Sequence, residues 1–291
     1  MEEAIPVFIV HWNRPETCQR VVEGWLAQDY PCRVVLIDNA STKLPNKLSE
    51  KVMVIRNSRN LGFAGALAQV LPMWASGSEE PFCIVCAHDA FPANRSVARV
   101  LKEVFDGYKD IGIAYTRRNP ADLGLWSPLK GPRLKPLPTI GAEKIIYGIW
   151  FPEHCFAIRR DVVEKIGIDH RLFAYCEGVD LSLSALKLGW LSALVVDAVV
   201  ENLEWGETVK GTLISAFLMA RNSVLLAQKH AGKFYKLLRG FVIILSALRN
   251  LANPIGYSQQ FNSFARILGA MYGLMGMYGP PPSWLMRGVQ K

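Results

Sequence analysis

Read from the amino terminus, the chain alternates short apolar blocks with longer stretches in which apolar positions recur every three or four residues. IPVFIV (5–10) is an unbroken run of strand length. In the segment after it, Cys18, Val21, Val22, Trp25 and Leu26 stand at i, i+3, i+4, i+7 and i+8, one stripe of a helix entered at Pro15. RVVLI (33–37) and VMVI (52–55) again have strand character, a helix is predicted over roughly 63–75, and FCIVCA (82–87) is the next strand. Strands alternating with helices build βαβ units, which pack as a mostly parallel sheet covered on both faces. Further on, 117–144 carries five prolines and no period, which predicts a long irregular loop. HCFAIR (154–159) reads as a strand and DVVEKIG as a short helix ended by Gly167. VDLSLSALKLGW reads as a helix with Leu181, Ser184, Ala185 and Leu188 on one face and a stop at Gly189.

Three of the apolar blocks end abruptly in polar residues: His11, Trp12, Asn13 and Arg14 after the first, Asp38 to Thr42 after the second, and His88 and Asp89 after FCIVCA. In open α/β sheets, ligands bind beyond the carboxyl ends of the strands, so these segments converge on one crevice. Each alone reads better as a helix cap or solvated turn; their coincidence is what points to a site. No G-x-G-x-x-G follows the first strand, which leaves a dinucleotide fold with little support.

The segments VFIVHWNRPETCQRVVEGWLAQDYPCRVVLIDNAST, NLGFAGALAQV, the strand ending at Asp89, FAIRRDVVEKIGIDHRLFAYCEGVDLSLSALKLGW and AFLMARNSVLLAQKH occur in this order over roughly residues 5–230. Together they resemble glycosyltransferase family 2, with the bacterial rhamnosyltransferase-like branch the nearest likeness. The resemblance implies a GT-A fold, Rossmann-like with a mostly parallel central sheet flanked by helices. It also implies an inverting transfer of a sugar from a UDP- or dTDP-sugar to an acceptor hydroxyl. Asp89 matches the last acid of the family's metal-binding motif and so implies Mg2+ or Mn2+, both oxygen-seeking cations; Ala87 and His88 fill the motif's earlier positions. Asp38 matches the acid that accepts a hydrogen bond from the nucleobase imide, and Trp12 stands where an aromatic stacks on the base or is simply core. Asn13, Arg14, Asn60 and Gly62, with His11 and His88, fall in segments that resemble nucleotide-contacting loops. The family pattern Glu-Asp-x-Asp supplies the general base from its second acid. Here Glu177-Gly178-Val179-Asp180 has glycine there, which leaves Glu177 or Asp180 as the base, with helix capping the other reading of Asp180. Family members often place a metal-binding His after the strand that here reads VVEN, where Glu201 and Asn202 stand instead. His154 is either a donor-sugar or acceptor contact or a structural histidine.

Composition adds limits. A chain of 291 residues, 51% hydrophobic, can bury a substantial core. Its six cysteines lack the density of a disulfide scaffold, which fits a reducing cytoplasm. Cys83 and Cys86 form a CxxC, but inside a strand residues three apart point to opposite faces and cannot share a metal. The N-terminus begins with acids and a short apolar run, so no signal peptide is expected.

Charge is unevenly distributed. Ten of the 33 basic residues lie beyond Glu207 and no acid does, which leaves 23 basic against 25 acidic residues in the first 207. The chain therefore divides into a near-neutral domain, 1–207, and a basic, apolar helical extension, 208–291. If 236–250 is helical, Lys236, Arg239, Ser246, Arg249 and Asn250 fall on one side. Leu237, Leu238, Phe241, Ile244, Leu245 and Leu248 fall on the other, as in a helix lying in an anionic membrane interface. Residues 267–286 are uncharged, but three prolines and four glycines argue against a spanning helix. The competing reading is an extension that packs on the catalytic domain or on a second subunit, as in a homodimer. No nucleic-acid motif accompanies the basic tail.

The resemblance implies a glycosyltransferase extending a bacterial cell-surface glycan on a free or lipid-linked acceptor, and the cysteine usage and basic tail place the expectation in the cytoplasm, peripheral to the inner face of the plasma membrane. The alternative is a catalytically degenerate GT-A-fold binding or partner protein, suggested by Ala87, Gly178 and the missing His.

Overall fold

The computed structural model describes residues 4–118, 121–137, 143–152, 154–203, 213–252 and 257–286. The first half follows the strand–helix alternation: β1 (Ile5–His11), α1 (Pro15–Leu26), β2 (Cys32–Asp38), β3 (Met53–Arg56), α2 (Gly62–Gly77), β4 (Phe82–Ala87), β5 (Ala90–Pro92), α3 (Val97–Gly107) and β6 (Ile111–Arg117). After it come β7 (Asp122–Ser127), β8 (Gly131–Pro136), β9 (Ile145–Gly148), β10 (Cys155–Arg159), α4 (Arg160–Ile166), α5 (Glu177–Lys187) and β11 (Leu191–Asn202). The main sheet runs β3-β2-β1-β4-β10-β6-β11-β5, with β9 beside β11. Its β3-β2-β1-β4 half is parallel throughout, and β6 and β11 are parallel to each other, whereas β10 is antiparallel to both neighbours. This is the GT-A arrangement, a mostly parallel sheet between helical layers.

The unbroken apolar runs have a direct cause. Val7, Ile9, Leu36, Ile84 and Cys86 pack with Trp25, Leu101 and Phe105 on one face; Phe8, Val10, Ile37, Cys83 and Val85 pack with Leu67, Leu71 and Trp74 on the other. Both faces are covered, so every strand position is apolar rather than every second one. Cys83 and Cys86 lie in opposite layers, as their spacing requires, and none of the six cysteines is in a disulfide.

The segment 117–144 departs from the expected irregular loop. β7 and β8 pair in register from Asp122–Pro136 to Ser127–Gly131 as a separate two-stranded hairpin. Pro128 sits in its turn, and Pro132 and Pro136 sit on a strand with one pairing neighbour, where a missing N–H is tolerated. Pro120 and Pro138 of the same segment lie outside the described residues.

The C-terminal helices are α6 (Leu213–Ala231), α7 (Lys233–Ala252), α8 (Tyr257–Leu274) and α9 (Ser283–Met286). The expected division at 207/208 lies outside the described residues. On the sheet-bearing part, Phe217 and Leu218 of α6 pack with Phe173, and Leu226 packs with Cys176, Val179 and Leu183. α8 lies against α6 so closely that a Cβ on Gly269 would stand 2.2 Å from the Phe217 carbonyl oxygen. One polar-side residue of the predicted amphipathic helix is turned the other way: Arg239 faces inward, donating through Nε to Ser223 Oγ at 2.8 Å and lying against Gly131 of the hairpin turn.

Candidate active site

Parallel pairing sets four strand tips side by side. In register, Arg56 lies beside Asp38 and Asp38 beside His11, while Val10 lies beside Ala87, so the next residue of β4, His88, falls near His11. The two imidazole rings stand 6.1 Å apart, edge to face. With strands about 4.8 Å apart, the tips of β2 and β4 are separated by about 10 Å across β1.

Asp38 is fully buried. Its Oδ1 faces His11 Nδ1 at 3.2 Å and accepts the Ser41 backbone N–H at 3.2 Å. The Arg14 backbone N–H donates to His11 Nε2, which places the ring proton on Nδ1, toward the carboxylate. Burial, and then the neighbouring His88, hold His11 below the usual imidazole pKa despite the opposing pull of Asp38, so a neutral ring fits the hydrogen bonds it makes. Asp38 Oδ2 lies 3.3 Å from Arg56 Nε but accepts no hydrogen bond, a buried oxygen with acceptor capacity unused. Arg56, which also donates to the Ser41 carbonyl, was missed from sequence; the same strand-end rule applied to the third apolar block, which stops at Arg56, would have found it.

Several residues of the implied nucleotide loops shape the site. Asn13, with φ +52°, donates its backbone N–H to Ser41 Oγ and accepts the Thr42 N–H on Oδ1 at 2.8 Å, tying the β1 and β2 loops together. Asn60 Oδ1 accepts the Gly62 N–H. Gly62 has φ +75°, and a Cβ there would stand 2.1 Å from the Phe173 carbonyl oxygen, which itself accepts the Ala64 N–H. That contact docks the start of α2 on the segment leading to α5. Trp12 is half-buried beside this rim, outside the core, and the Arg14 side chain is exposed.

At the β4 tip, Asp89 is half-exposed; its backbone carbonyl accepts the Leu203 N–H, and among the described residues no hydrogen bond or ion pair engages its carboxylate. His154 lies close by, with its carbonyl accepting the Ala87 N–H, but its Nε2 is bonded to the Val200 carbonyl at 3.2 Å and burial lowers its pKa. Glu201 is exposed on β11 opposite Phe91. Among the described residues, no three His, Cys, Asp or Glu side chains are arranged to hold a metal. A single uncommitted carboxylate fits Mg2+ or Mn2+ when substrate phosphates and water complete the shell, since Mg2+ in particular keeps few protein ligands.

Glu177 begins α5 and is 6% exposed. Burial, reinforced by the nearby Asp180 charge, pushes its carboxyl up to about 7 against an opposing backbone hydrogen bond, and among the described residues Oε2 has no hydrogen-bond partner. Asp180 differs: it makes no side-chain cap, and its oxygens are held by Lys229 Nζ at 2.7 Å and His230 Nε2 at 2.8 Å. Both partners lie near the end of α6. The Tyr175 hydroxyl, hydrogen-bonded to Ser215, has its pKa raised by desolvation and by nearby carboxylate charge, although the side chain as a whole is 41% exposed.

The approach to Glu177 is strained: Phe173, Tyr175 and Cys176 all have φ between 67° and 69°. Asn222, fully buried in α6, donates Nδ2 to the carbonyls of Leu172, Ala174 and Tyr175 at 3.1, 2.8 and 2.7 Å. Arg221 beside it, 1% exposed, donates Nη2 to the Leu172 carbonyl and Nη1 to that of Gly279. Sequence counted Arg221 among the basic tail charges; the signal for another role was a polar pair inside the apolar run of AFLMARNSVLLA. A concavity of about 910 Å3 lies elsewhere, at the amino ends of the strands by Pro6, Arg33 and Met53, and is lined by none of these groups.

The profile of "Glycosyl transferase family 2" matches residues 7–167, more than half of the chain. The chain belongs to glycosyl transferase family 2. No curated protein matches it significantly. Among solved structures, the glycosyltransferase is similar to the mannosyltransferase PcManGT from Pyrobaculum calidifontis, solved with GDP-Man and Mn2+ (TM-score 0.58, 14% identity, 95% of this chain and 88% of that one). It is also similar to GalNAc-T7 with UDP, GalNAc and Mn2+ (TM-score 0.61, 18% identity, 98% and 56%). A third similar structure is S. aureus TarS 1-349 (TM-score 0.56, 11% identity, 94% and 81%). At these identities the likeness is one of fold.

Proposed function

We propose that this glycosyltransferase inverts the anomeric centre of a UDP- or dTDP-sugar and extends a bacterial cell-surface glycan, free or lipid-linked, with Glu177 as general base. The observation that carries this reading is a buried carboxylate at the start of α5, with one oxygen unpaired among the described residues and a pKa raised to about 7. A base is most effective when its pKa lies near the operating pH. The acceptor oxygen bonds to the anomeric carbon as the bond from that carbon to the diphosphate breaks. The acceptor proton passes to Glu177 Oε2, and the nucleoside diphosphate leaves with the electron pair.

A divalent cation, when bound, supplies positive charge against the leaving diphosphate; Asp89 is the residue that would hold it, and structures with Mn2+ in two similar folds support its use here. Asp38 Oδ2, with its unused acceptor capacity, would receive the nucleobase imide N–H once Arg56 swings aside, and Trp12, Asn13 and Arg14 would frame the nucleoside. His11 and His88 line the floor between base and diphosphate, and His154 supports the wall from behind.

A second reading, a binding protein that has lost catalysis, draws on Gly178 and on the lack of a three-ligand metal cluster among the described residues. One experiment separates them. Thermal shifts are measured with UDP, dTDP and GDP with and without Mn2+, followed by donor turnover for the native protein and its Asp89→Asn variant. Saturation at about 100 times Kd adds about 2.7 kcal/mol. Mn2+-dependent stabilisation by a pyrimidine diphosphate, with turnover that Asp89→Asn removes, supports the enzyme. Stabilisation without turnover supports the binder, and neither effect refutes a nucleotide site.

A further inference from the structure

Among the described residues no helix is long and apolar enough to cross a membrane, yet α7 carries apolar side chains on its outward face. Phe234, Leu237, Phe241, Leu245 and Leu248 are each about half to two-thirds exposed, from 48% for Leu248 to 69% for Phe234. At 100° per residue they fall within about 40° of one line along the helix, about 21 Å long from first to last. The inward face is made of Ile243 and Ala247, both buried, and of Gly240, where a Cβ would stand 2.6 Å from Leu274 of α8. Arg239, which would otherwise make this helix soluble on its polar side, is turned in to Ser223. A surface helix normally buries its apolar stripe; this one leaves these five apolar side chains exposed.

We infer that this stripe of α7 is a docking face for an anionic lipid surface. Charge selects the occupant. Lys233 and Arg249, both exposed, lie about 80° to either side of the stripe at its two ends, and residues 208–291 contain no acid. A second copy meeting this face around a two-fold axis would oppose cation to cation with no carboxylate of the segment to complement them. Anionic headgroups satisfy both features: cations meet phosphates while the apolar side chains enter the acyl boundary. The face also lies near the proposed chemistry. His230, bonded to Asp180 one helical turn from Glu177, precedes Phe234 by four residues. A protein lying on α7 would thus hold the Glu177 end of its site beside the lipid surface. The inference deepens the lipid-linked reading of the acceptor and rests on it for its biological sense, but it is tested without donor or acceptor.

Flotation of the full chain is measured with vesicles of phosphatidylcholine, with and without phosphatidylglycerol. The native protein is compared with Leu237→Ser/Phe241→Ser, which keeps the charge, and with Lys233→Gln/Arg249→Gln, which keeps the stripe. The expected result is binding to the anionic vesicles that falls at least tenfold in the first variant and roughly tenfold in the second. Should the first variant fail to retain its circular dichroism, Leu245→Ser/Leu248→Ser makes the same test two turns away. Undiminished flotation in the charge-conserving variants, or none by the native protein, overturns the inference. So does a native dimer in gel filtration that these variants turn into a monomer, because the face then belongs to a second copy. Flotation of a native protein that shows no turnover in the separate donor assay counts against the catalytic proposal alone.

Discussion

Replacing Glu177 by Gln should stabilise this protein while inactivating it, and the size of the gain follows from where the carboxylate sits. In the folded chain its pKa is raised to about 7 by burial; in the unfolded chain it is near 4.5. Between those values the native state binds more protons than the unfolded state, so stability falls as pH rises, by about 1.4 kcal/mol per unit. The contribution of the protonated form is complete below about pH 4.5 and gone above about pH 7, a difference of roughly 3 kcal/mol. Gln is neutral at every pH and nearly the shape of protonated Glu. Glu177→Gln should therefore match the native protein near pH 4.5 and exceed it by up to roughly 3 kcal/mol at pH 8, a rise in Tm of roughly 5 °C for a chain of this size. Calorimetric scans of both proteins from pH 4.5 to 8.5, without nucleotide, measure the divergence. In parallel, kcat/KM of the native enzyme should climb through about pH 7, and the variant should lose on the order of 10²- to 10⁴-fold. Parallel Tm curves would refute the buried-charge argument, and undiminished turnover would remove Glu177 as the base.

Three further outcomes follow from the surrounding contacts. Asp180→Asn breaks the link to Lys229 and His230 and should cost about 2 kcal/mol in denaturant unfolding, since Lys229 is partly solvated; removing that negative charge also moves the acid limb of the pH–rate profile to lower pH, because Asp180 helps raise Glu177. Asn222→Ala leaves the carbonyls of Ala174 and Tyr175 without their buried donor, which should destabilise by roughly 3 kcal/mol and lower kcat as the strained turn before Glu177 relaxes. Gly62→Ala sets a Cβ against the Phe173 carbonyl at a positive φ and should cost at least about 2 kcal/mol in thermal unfolding.

Residues next to each other in the chain, or repeating at a helical or strand period, settled much of this protein. The runs around Val7, Val35 and Ile84 are apolar at every position because both faces of a parallel sheet are covered, and a parallel sheet dictates that their polar endings share one rim. That is why His11, Asp38, His88 and Asp89 could be grouped before any coordinates. The hairpin of β7 and β8 escaped notice because its prolines sit in the turn and on a strand with one pairing neighbour, where they break no period that a reader could find. Tertiary structure alone decided which of two carboxylates is free. Glu177 and Asp180 are three residues apart on one helix, and only the arrival of Lys229 and His230 from α6 occupies the second, while among the described residues one oxygen of the first has no partner. The orientation of α7 was decided in the same way. Its two sides were legible from periodicity, but which one meets water depends on Gly240 admitting Leu274 and on Ser223 capturing Arg239, contacts between residues far apart in sequence that no local pattern encodes.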